Sequence, residues 1–310
     1  MVAIRIFFGA LMTLITLGVI ALDAHFAHGW YNLQESALWQ RLLNRGGPST
    51  LLVLLLTVAA AIEFNGLLAR GGLRPLRIWT ATLAAALVLT PWLTAVFADQ
   101  AAAPLDLSIT MVILVTGLIG AAIALMARRQ PTNALLDLGA AMLAVVYVGL
   151  LMSFAVRLRV SHPGPAGAWV ALLWAAVVKF TDVGAYFTGL AIGRTPLAPT
   201  ISPNKTFQGF FGGIATGIII GLLAYLALPP ARPCFALTNP PSIYLFVFAV
   251  VMAFTGQLGD LVESLLKRSV QARDSGKVIP QFGGILDVVD ALLLTAPIAW
   301  LMLSPWPTGG

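Results

Sequence analysis

Apolar stretches close to the length of a bilayer crossing recur along the whole chain, and nothing else in the sequence restricts its fold as strongly. A hydrocarbon core takes about 20 helical residues to cross, and stretches of about that length lie at 5–23, 50–69, 77–98, 108–127, 136–156, 167–191, 210–229, 242–260 and 287–304. A segment in lipid must satisfy its own backbone hydrogen bonds, so each is read as a helix. Composition agrees: 59% of the residues are hydrophobic and only 10% charged, against about 25% charged in a soluble domain. The expected fold is an all-α polytopic membrane protein with about nine transmembrane helices. The first stretch, with Arg5 before it and Ala21-Leu22-Asp23-Ala24 after it, exceeds the roughly 7–15 apolar residues of a signal peptide. It reads as an uncleaved anchor.

Lysine and arginine set the orientation. Arg5, Arg70, Arg74, Arg77, Arg128, Arg129, Arg194, Lys205, Lys267, Arg268, Arg273 and Lys277 flank the spans on the N-terminal side. Arg41, Arg45, Arg157, Arg159 and Arg232 fall on the other side, and Lys179 falls inside a span. Basic residues collect in cytoplasmic loops, which predicts a cytoplasmic N-terminus and a C-terminus outside. The same distribution argues against nucleic acid as a partner, because the net charge of +6 is divided among loops rather than gathered into one stripe. The single cysteine, Cys234, excludes an internal disulfide. His25, His28 and His162, all read as outer-loop residues, make a histidine-rich zinc site a poor reading.

The chain changes character along its length. Residues 1–135 read as a transmembrane scaffold of about four helices, and the first five spans as nearly featureless Ala/Leu/Val helices with Glu63 the main buried exception. Residues 136–310 read as a second region of about five helices with cytoplasmic loops 192–209 and 261–286, and polar residues enter the spans there. Lys179 and Asp182, three apart on one helix face, suit either a packing salt bridge or the wall of a polar cavity. An ionisable group at mid-helix costs about 2.5–3.5 kcal/mol unless paired or facing such a cavity. Ser202-Pro203-Asn204-Lys205-Thr206 precedes a span. It suits an anion at a helix N-terminus, or equally an N-cap with a topogenic lysine, and it lacks P-loop spacing. Gly209, Gly212 and Gly213 just beyond permit close helix approach.

Asp260, Glu263, Ser264 and Lys267 follow i, i+3, i+4, i+7 spacing and share a face, which could also be a solvated helix end. Asp287 and Asp290 open the last span; N-terminal stabilisation explains Asp287 more readily than Asp290, nearly a turn further in. Together, carboxylates at 182, 260, 287 and 290 suit a hard cation such as Mg²⁺, and Lys205, Lys267, Arg268 and Arg273 suit phosphates. Such clamps, without an activated Ser or His nucleophile, describe phosphoryl-type transfer, in which positioning and electrostatics dominate.

These residues resemble a known family. Ser264-Leu265-Leu266-Lys267-Arg268, Arg273-Asp274-Ser275, Ile279-Pro280, Gly283-Gly284-Ile285-Leu286-Asp287 and Asp290 are similar to the signature of the phosphatidate cytidylyltransferases (CDP-diacylglycerol synthases). Asp182–Tyr186, Ser202–Thr206 and Gly259–Ser264 resemble further segments of that family, and the likeness covers roughly residues 136–304. The resemblance implies that CTP and phosphatidate, in membrane lipid, give CDP-diacylglycerol and pyrophosphate for phospholipid biosynthesis. It implies Mg²⁺ held by Asp260 and Asp287, with room for K⁺ as a companion. Lys267, Arg268, Arg273, Asp274 and Asp290 would be catalytic, and Asp182, Ser202, Asn204, Lys205, Thr206 and Ser264 would bind substrate. It places the protein in a bacterial inner membrane with its site facing the cytoplasm, and it is compatible with a homodimer.

Three positions depart from the family's usual pattern: Arg273 stands for Lys, Phe282 for His and Val288 for Arg. A divergent relative activating another lipid phosphate, or a non-catalytic lipid-binding or transport protein, are the competing readings. Clustering of the acids at one surface rather than mid-membrane weighs against transport. The sequence assigns no role to residues 24–48.

Overall fold

A computed structural model describes residues 2–28, 38–98, 102–128, 132–227, 241–276 and 283–304. Among them nine helices are long and apolar enough to cross a membrane: Phe8–Phe26, Gly47–Arg70, Arg77–Phe97, Pro104–Ala127, Ala134–Val160, Pro165–Ile192, Phe207–Ala227, Ile243–Ser269 and Leu286–Leu303. They fall in the nine expected stretches. The elements, in order, are α1 (Val2–Phe26), a short α2 (Leu38–Asn44), α3 (Gly47–Arg70), α4 (Arg77–Phe97), α5 (Ala102–Ala127) and α6 (Ala134–Ala144). A π-helical segment (Val145–Leu150) joins α6 to α7 (Leu151–Val160), followed by α8 (Pro165–Ile192). An antiparallel hairpin of β1 (Pro196–Ala198) and β2 (Ser202–Thr206) leads into α9 (Phe207–Ala227), α10 (Pro241–Ser269) and α11 (Leu286–Leu303).

Packing rather than propensity fixes how these helices meet. Gly209, Gly213, Gly217 and Gly221 recur every four residues, and all four are buried on one face of α9. A Cβ at Gly213 would stand 2.9 Å from the Thr181 carbonyl oxygen, and one at Gly209 would stand 2.7 Å from that of Ala185. Small residues at this spacing let two backbones approach in lipid, where burial of apolar surface supplies no drive. α11 is the centre of the bundle. Leu293 and Val289 pack with Phe64, Val88, Val148 and Met152, while Ala296 and Ala299 pack with Leu173, Trp174, Phe248 and Met252. The perimeter is apolar, with Leu14, Ile123, Met126 and Leu190 exposed, as a lipid-facing surface requires.

Several expectations need correction. The N-terminal spans are not featureless. Asp106 of α5 makes a buried two-point ion pair with Arg157, Nε–Oδ2 2.7 Å and Nη2–Oδ1 3.0 Å. Thr110 accepts from the same guanidinium at 2.6 Å. Asp23 of α1 pairs with Arg159 at 2.5 Å and accepts from Ser49 Oγ at 2.7 Å. Arg157 and Arg159 therefore belong to the last turns of α7 rather than to an outer loop; a buried cation needs such a partner, and helical spacing alone does not reveal it. His25 lies in the last turn of α1, which runs on to Phe26. The expected loop 261–286 is helical through Ser269, because the polar face of α10 packs inside the protein instead of ending the helix. The expected loop 192–209 contains the hairpin and the first turn of α9.

Candidate active site

Two linked polar clusters occupy one end of the bundle, built by α3, α8, β2, α10, α11 and the segments 270–276 and 283–285. In the first, the final helical turns of α10 are braced from the hairpin: Lys205 Nζ of β2 lies 2.8 Å from Asp260 Oδ2. On α8, Lys179 reaches Asp182 at 3.7 Å and donates to the Val288 carbonyl oxygen at 2.6 Å. A cation thus stands beside position 288 although valine occupies it. Asp260, Lys179 and Asp182 all act electrostatically on Asp290, and Lys205 acts on Asp182. The helices carrying Asp260 and Asp290 touch because Gly259 has no side chain; a Cβ there would come 2.8 Å from the Asp290 carbonyl oxygen.

In the second cluster, the Lys267 ammonium is shared between Glu263 (2.5 Å) and Asp287 (2.7 Å). Glu263 and Lys267 stand one turn apart on α10, and Asp287 comes from the first turn of α11. Asp287 Oδ2 also accepts from Gly284 N at 2.6 Å, Ser275 Oγ at 2.9 Å and Ser275 N at 3.1 Å. Behind it the buried Glu63 of α3 accepts from Ile285 N at 2.9 Å and Leu286 N at 2.8 Å, with Ser275 Oγ 3.2 Å away. Gly283 turns the chain through φ +97 directly against the Asp287 carboxylate, a backbone conformation natural to glycine.

Asp182, Lys205, Asp260, Lys267, Asp287 and Asp290 are therefore gathered at this end, and Ser264 lies half-buried on α10 one turn from Asp260. The remaining expected residues lie around these clusters rather than in them; Asp274 directly precedes Ser275, and its Cβ is 3.5 Å from where a Cβ at Gly283 would stand. Arg268, Arg273 and Asp274 are exposed on the 268–274 segment; Arg268 donates to the Ala272 carbonyl at 3.4 Å, and the Asp274 carbonyl accepts from Arg70 at 3.1 Å. Asn204 is exposed on the hairpin and Ser202 is half-buried there. Thr206 accepts from Gly209 N at 3.1 Å and so caps α9, which is the plainer of its two readings. Lys277, Ile279, Pro280 and Phe282 lie outside the described residues.

No sequence motif placed Glu63 or Tyr147 at this site; Glu63 entered only as a buried charge that would suit a transport protein. Tyr147 sits in the π-helical segment, buried, with its ring 5.6 Å from that of Phe64, and the charges of Asp290, Glu263 and Asp260 act on its hydroxyl. A mid-helix π segment often marks a functional site, but no residue type announces one. Among the described residues, four buried polar atoms of this region lack a hydrogen-bond partner: Tyr147 Oη, Gln257 Nε2, Asp260 Oδ1 and Glu263 Oε1. Buried polar atoms are seldom left this way, so these have hydrogen-bonding capacity to spare.

Comparison with known proteins identifies relatives of the chain. Over 168 residues (54% of the chain) the sequence is 36% identical to a phosphatidate cytidylyltransferase of Bacillus subtilis, covering 59% of that protein. Over 178 residues (57% of the chain) it is 34% identical to one of Mycobacterium bovis, covering 54% of it. Over 137 residues (44%) it is 39% identical to one of Chlamydia trachomatis, covering 44%. The chain thus spans about half the length of the relatives it matches. Residues 42–306, which contain both polar clusters, match the cytidylyltransferase family as a whole, and the chain belongs to that family.

Proposed function

We propose that the chain is a CTP:phosphatidate cytidylyltransferase, making CDP-diacylglycerol and releasing pyrophosphate. The observation that carries this reading is the pairing of Lys205 with Asp260 and of Lys267 with Asp287 at one end of the bundle. On this reading each lysine exchanges its carboxylate for a phosphate, and each carboxylate is then released to a cation. The naming of the relatives as phosphatidate cytidylyltransferases supports the same chemistry.

Two of the donors suit a divalent ion, although no group of three Asp or Glu side chains among the described residues is arranged to hold one. Asp260 Oδ1 and Glu263 Oε1 are buried carboxylate oxygens without a partner among the described residues, and hard oxygen donors suit Mg²⁺. Asp260 would hold it, with Asp290 and Asp182 as neighbouring acids. Asp287, whose oxygens are occupied by Lys267, Ser275 and Gly284, would join once Lys267 moves. Such an ion, alone or with K⁺, neutralises charge on the triphosphate and polarises its α-phosphorus.

The chain's own residues do the rest. Lys205 and Lys267 take up charge on the triphosphate, and Arg268 and Arg273, exposed at the surface, meet the lipid phosphate as it arrives. Ser264 on α10 and Ser202 and Asn204 of the hairpin orient the two reactants, with Asp274 in support, while Thr206 holds the start of α9. A phosphatidate oxygen attacks the α-phosphorus; that P–O bond forms as the bond to the bridging oxygen breaks, and pyrophosphate leaves with the electron pair. No protein nucleophile is required, so the rate depends on orientation and on preorganised charge. With the basic loops inside, the site faces the cytoplasm of a bacterial inner membrane, the C-terminus lies outside, and 136–310 acts as the catalytic region. A homodimer is compatible with this arrangement.

The test is purified protein in lipid nanodiscs with Mg²⁺, labelled CTP and phosphatidate. Pyrophosphate release that depends on phosphatidate is expected. Release with only another lipid phosphate would transfer the assignment to a different substrate, and absence of any nucleotide dependence would end the enzymatic reading.

A further inference from the structure

Glu63 stands outside every motif that points to the site, yet its carboxylate is built into it. An ionised group far inside a hydrophobic helix is costly unless it is paired or faces a polar cavity, and here the partners come from more than 200 residues away. Ile285 occupies the N-cap position of α11 and, being a hydrocarbon, offers no side-chain acceptor to the first free N–H groups of the helix. Glu63 supplies it instead, Oε1 accepting from Ile285 N at 2.9 Å and Oε2 from Leu286 N at 2.8 Å. A carboxylate at a helix N-terminus also gains from the helix dipole. Ser275 Oγ bridges the carboxylates of Glu63 and Asp287, 3.2 Å from one and 2.9 Å from the other.

The surrounding glycines are shaped by the same side chain. A Cβ at Gly276 would meet Glu63 Oε1 at 2.6 Å, Cδ at 2.8 Å and Cγ at 3.2 Å, and one at Gly284 would overlap Glu63 Oε2. Seven residues on, on the same face of α3, Arg70 donates to the Asp274 carbonyl at 3.1 Å. α3 therefore holds both Asp274–Ser275 and Ile285–Leu286.

We infer that Glu63 is a positioning residue, which sets the conformation of the turn before α11 and through it the direction in which Asp287 and Ser275 point. The catalytic half of this inference rests on the cytidylyltransferase reading; the structural half does not. The full chain in nanodiscs serves for both. Glu63→Ala should raise backbone amide exchange in peptides covering 283–287, leaving that of α8 and α9 unchanged. It should lower kcat on the order of 10²-fold, the effect of misplacing a reacting group by about 1 Å, with KM for CTP unchanged. Glu63→Gln, which keeps a carbonyl acceptor, should recover part of both.

Gly276→Ala supplies a second, independent arm. Alone it should damage the turn, because the pinned carboxylate cannot yield. Added to Glu63→Ala it should cost nothing further, a non-additivity that distant sites do not show. Unchanged exchange at 283–287 in both Glu63 variants, or additive effects in the Gly276 pair, would overturn the inference. If the unaltered protein turns over no CTP, the function proposed above fails, while the exchange and pairing experiments still decide what Glu63 does.

Discussion

Replacing Lys267 by methionine is the sharpest test of how the second cluster is held. The ammonium lies 2.5 Å from Glu263 and 2.7 Å from Asp287, so the two carboxylate oxygens are at most about 5 Å apart. Glu263 and Asp287 expose only 1% and 10% of their side chains, so solvent screens them weakly. At an effective dielectric of about 20, two like charges about 5 Å apart repel by roughly 3 kcal/mol. In Lys267→Met two charge-assisted hydrogen bonds are lost, and the two carboxyls either repel by that amount or one of them takes up a proton to escape it. The variant should therefore be less stable by up to about 3 kcal/mol, the loss being largest at high pH where both carboxyls are ionised, measured by reversible unfolding in bicelles. Adding Glu263→Gln removes the second charge and should return most of that stability. Turnover should stay low in both proteins, because the phosphate-binding cation is still missing. A Lys267→Met protein as stable as the parent would refute the electrostatic argument, and a double variant with restored turnover would remove Lys267 from the chemistry.

Asp287→Asn should abolish turnover while the protein still inserts and migrates normally in size-exclusion chromatography; a near-parental rate would exclude Asp287 from the site. Tyr147→Phe deletes the unpartnered hydroxyl beside the carboxylates and should slow turnover roughly tenfold to a hundredfold, the worth of one hydrogen bond to a charged group, and an unchanged rate would refute a role for it. Asp106→Ala strands the buried Arg157 guanidinium and should cost about 3–5 kcal/mol in the same unfolding assay. Arg157→Met combined with Asp106→Leu should recover most of that loss, and failure to recover would mean that the pair contributes more than charge neutralisation. Phe282→His should raise turnover or leave it unchanged, whereas a fall would mean that the site has adapted to the ring.

The number of spans was legible because lipid leaves the backbone one answer: apolar runs such as 50–69 and 108–127 have no other way to satisfy their N–H and C=O groups. The gathering of Asp260, Lys267, Asp287 and Asp290 was legible for a related reason, since acids and bases so close to helix ends must share a membrane surface. Helical spacing also foretold the Lys179–Asp182 pair at 3.7 Å and the close approach at Gly209 and Gly213. The partners of the buried arginines were not legible, because Arg157 meets Asp106, 51 positions away, and Arg159 meets Asp23, 136 positions away. Nor was the sharing of one lysine between Glu263 and Asp287, the hairpin that brings Lys205 to Asp260, or the capping of α11 by Glu63. Periodicity within a helix says which residues share a face, but which face meets which depends on how the helices pack, and that is decided by side-chain volume and long-range pairing that no local pattern encodes.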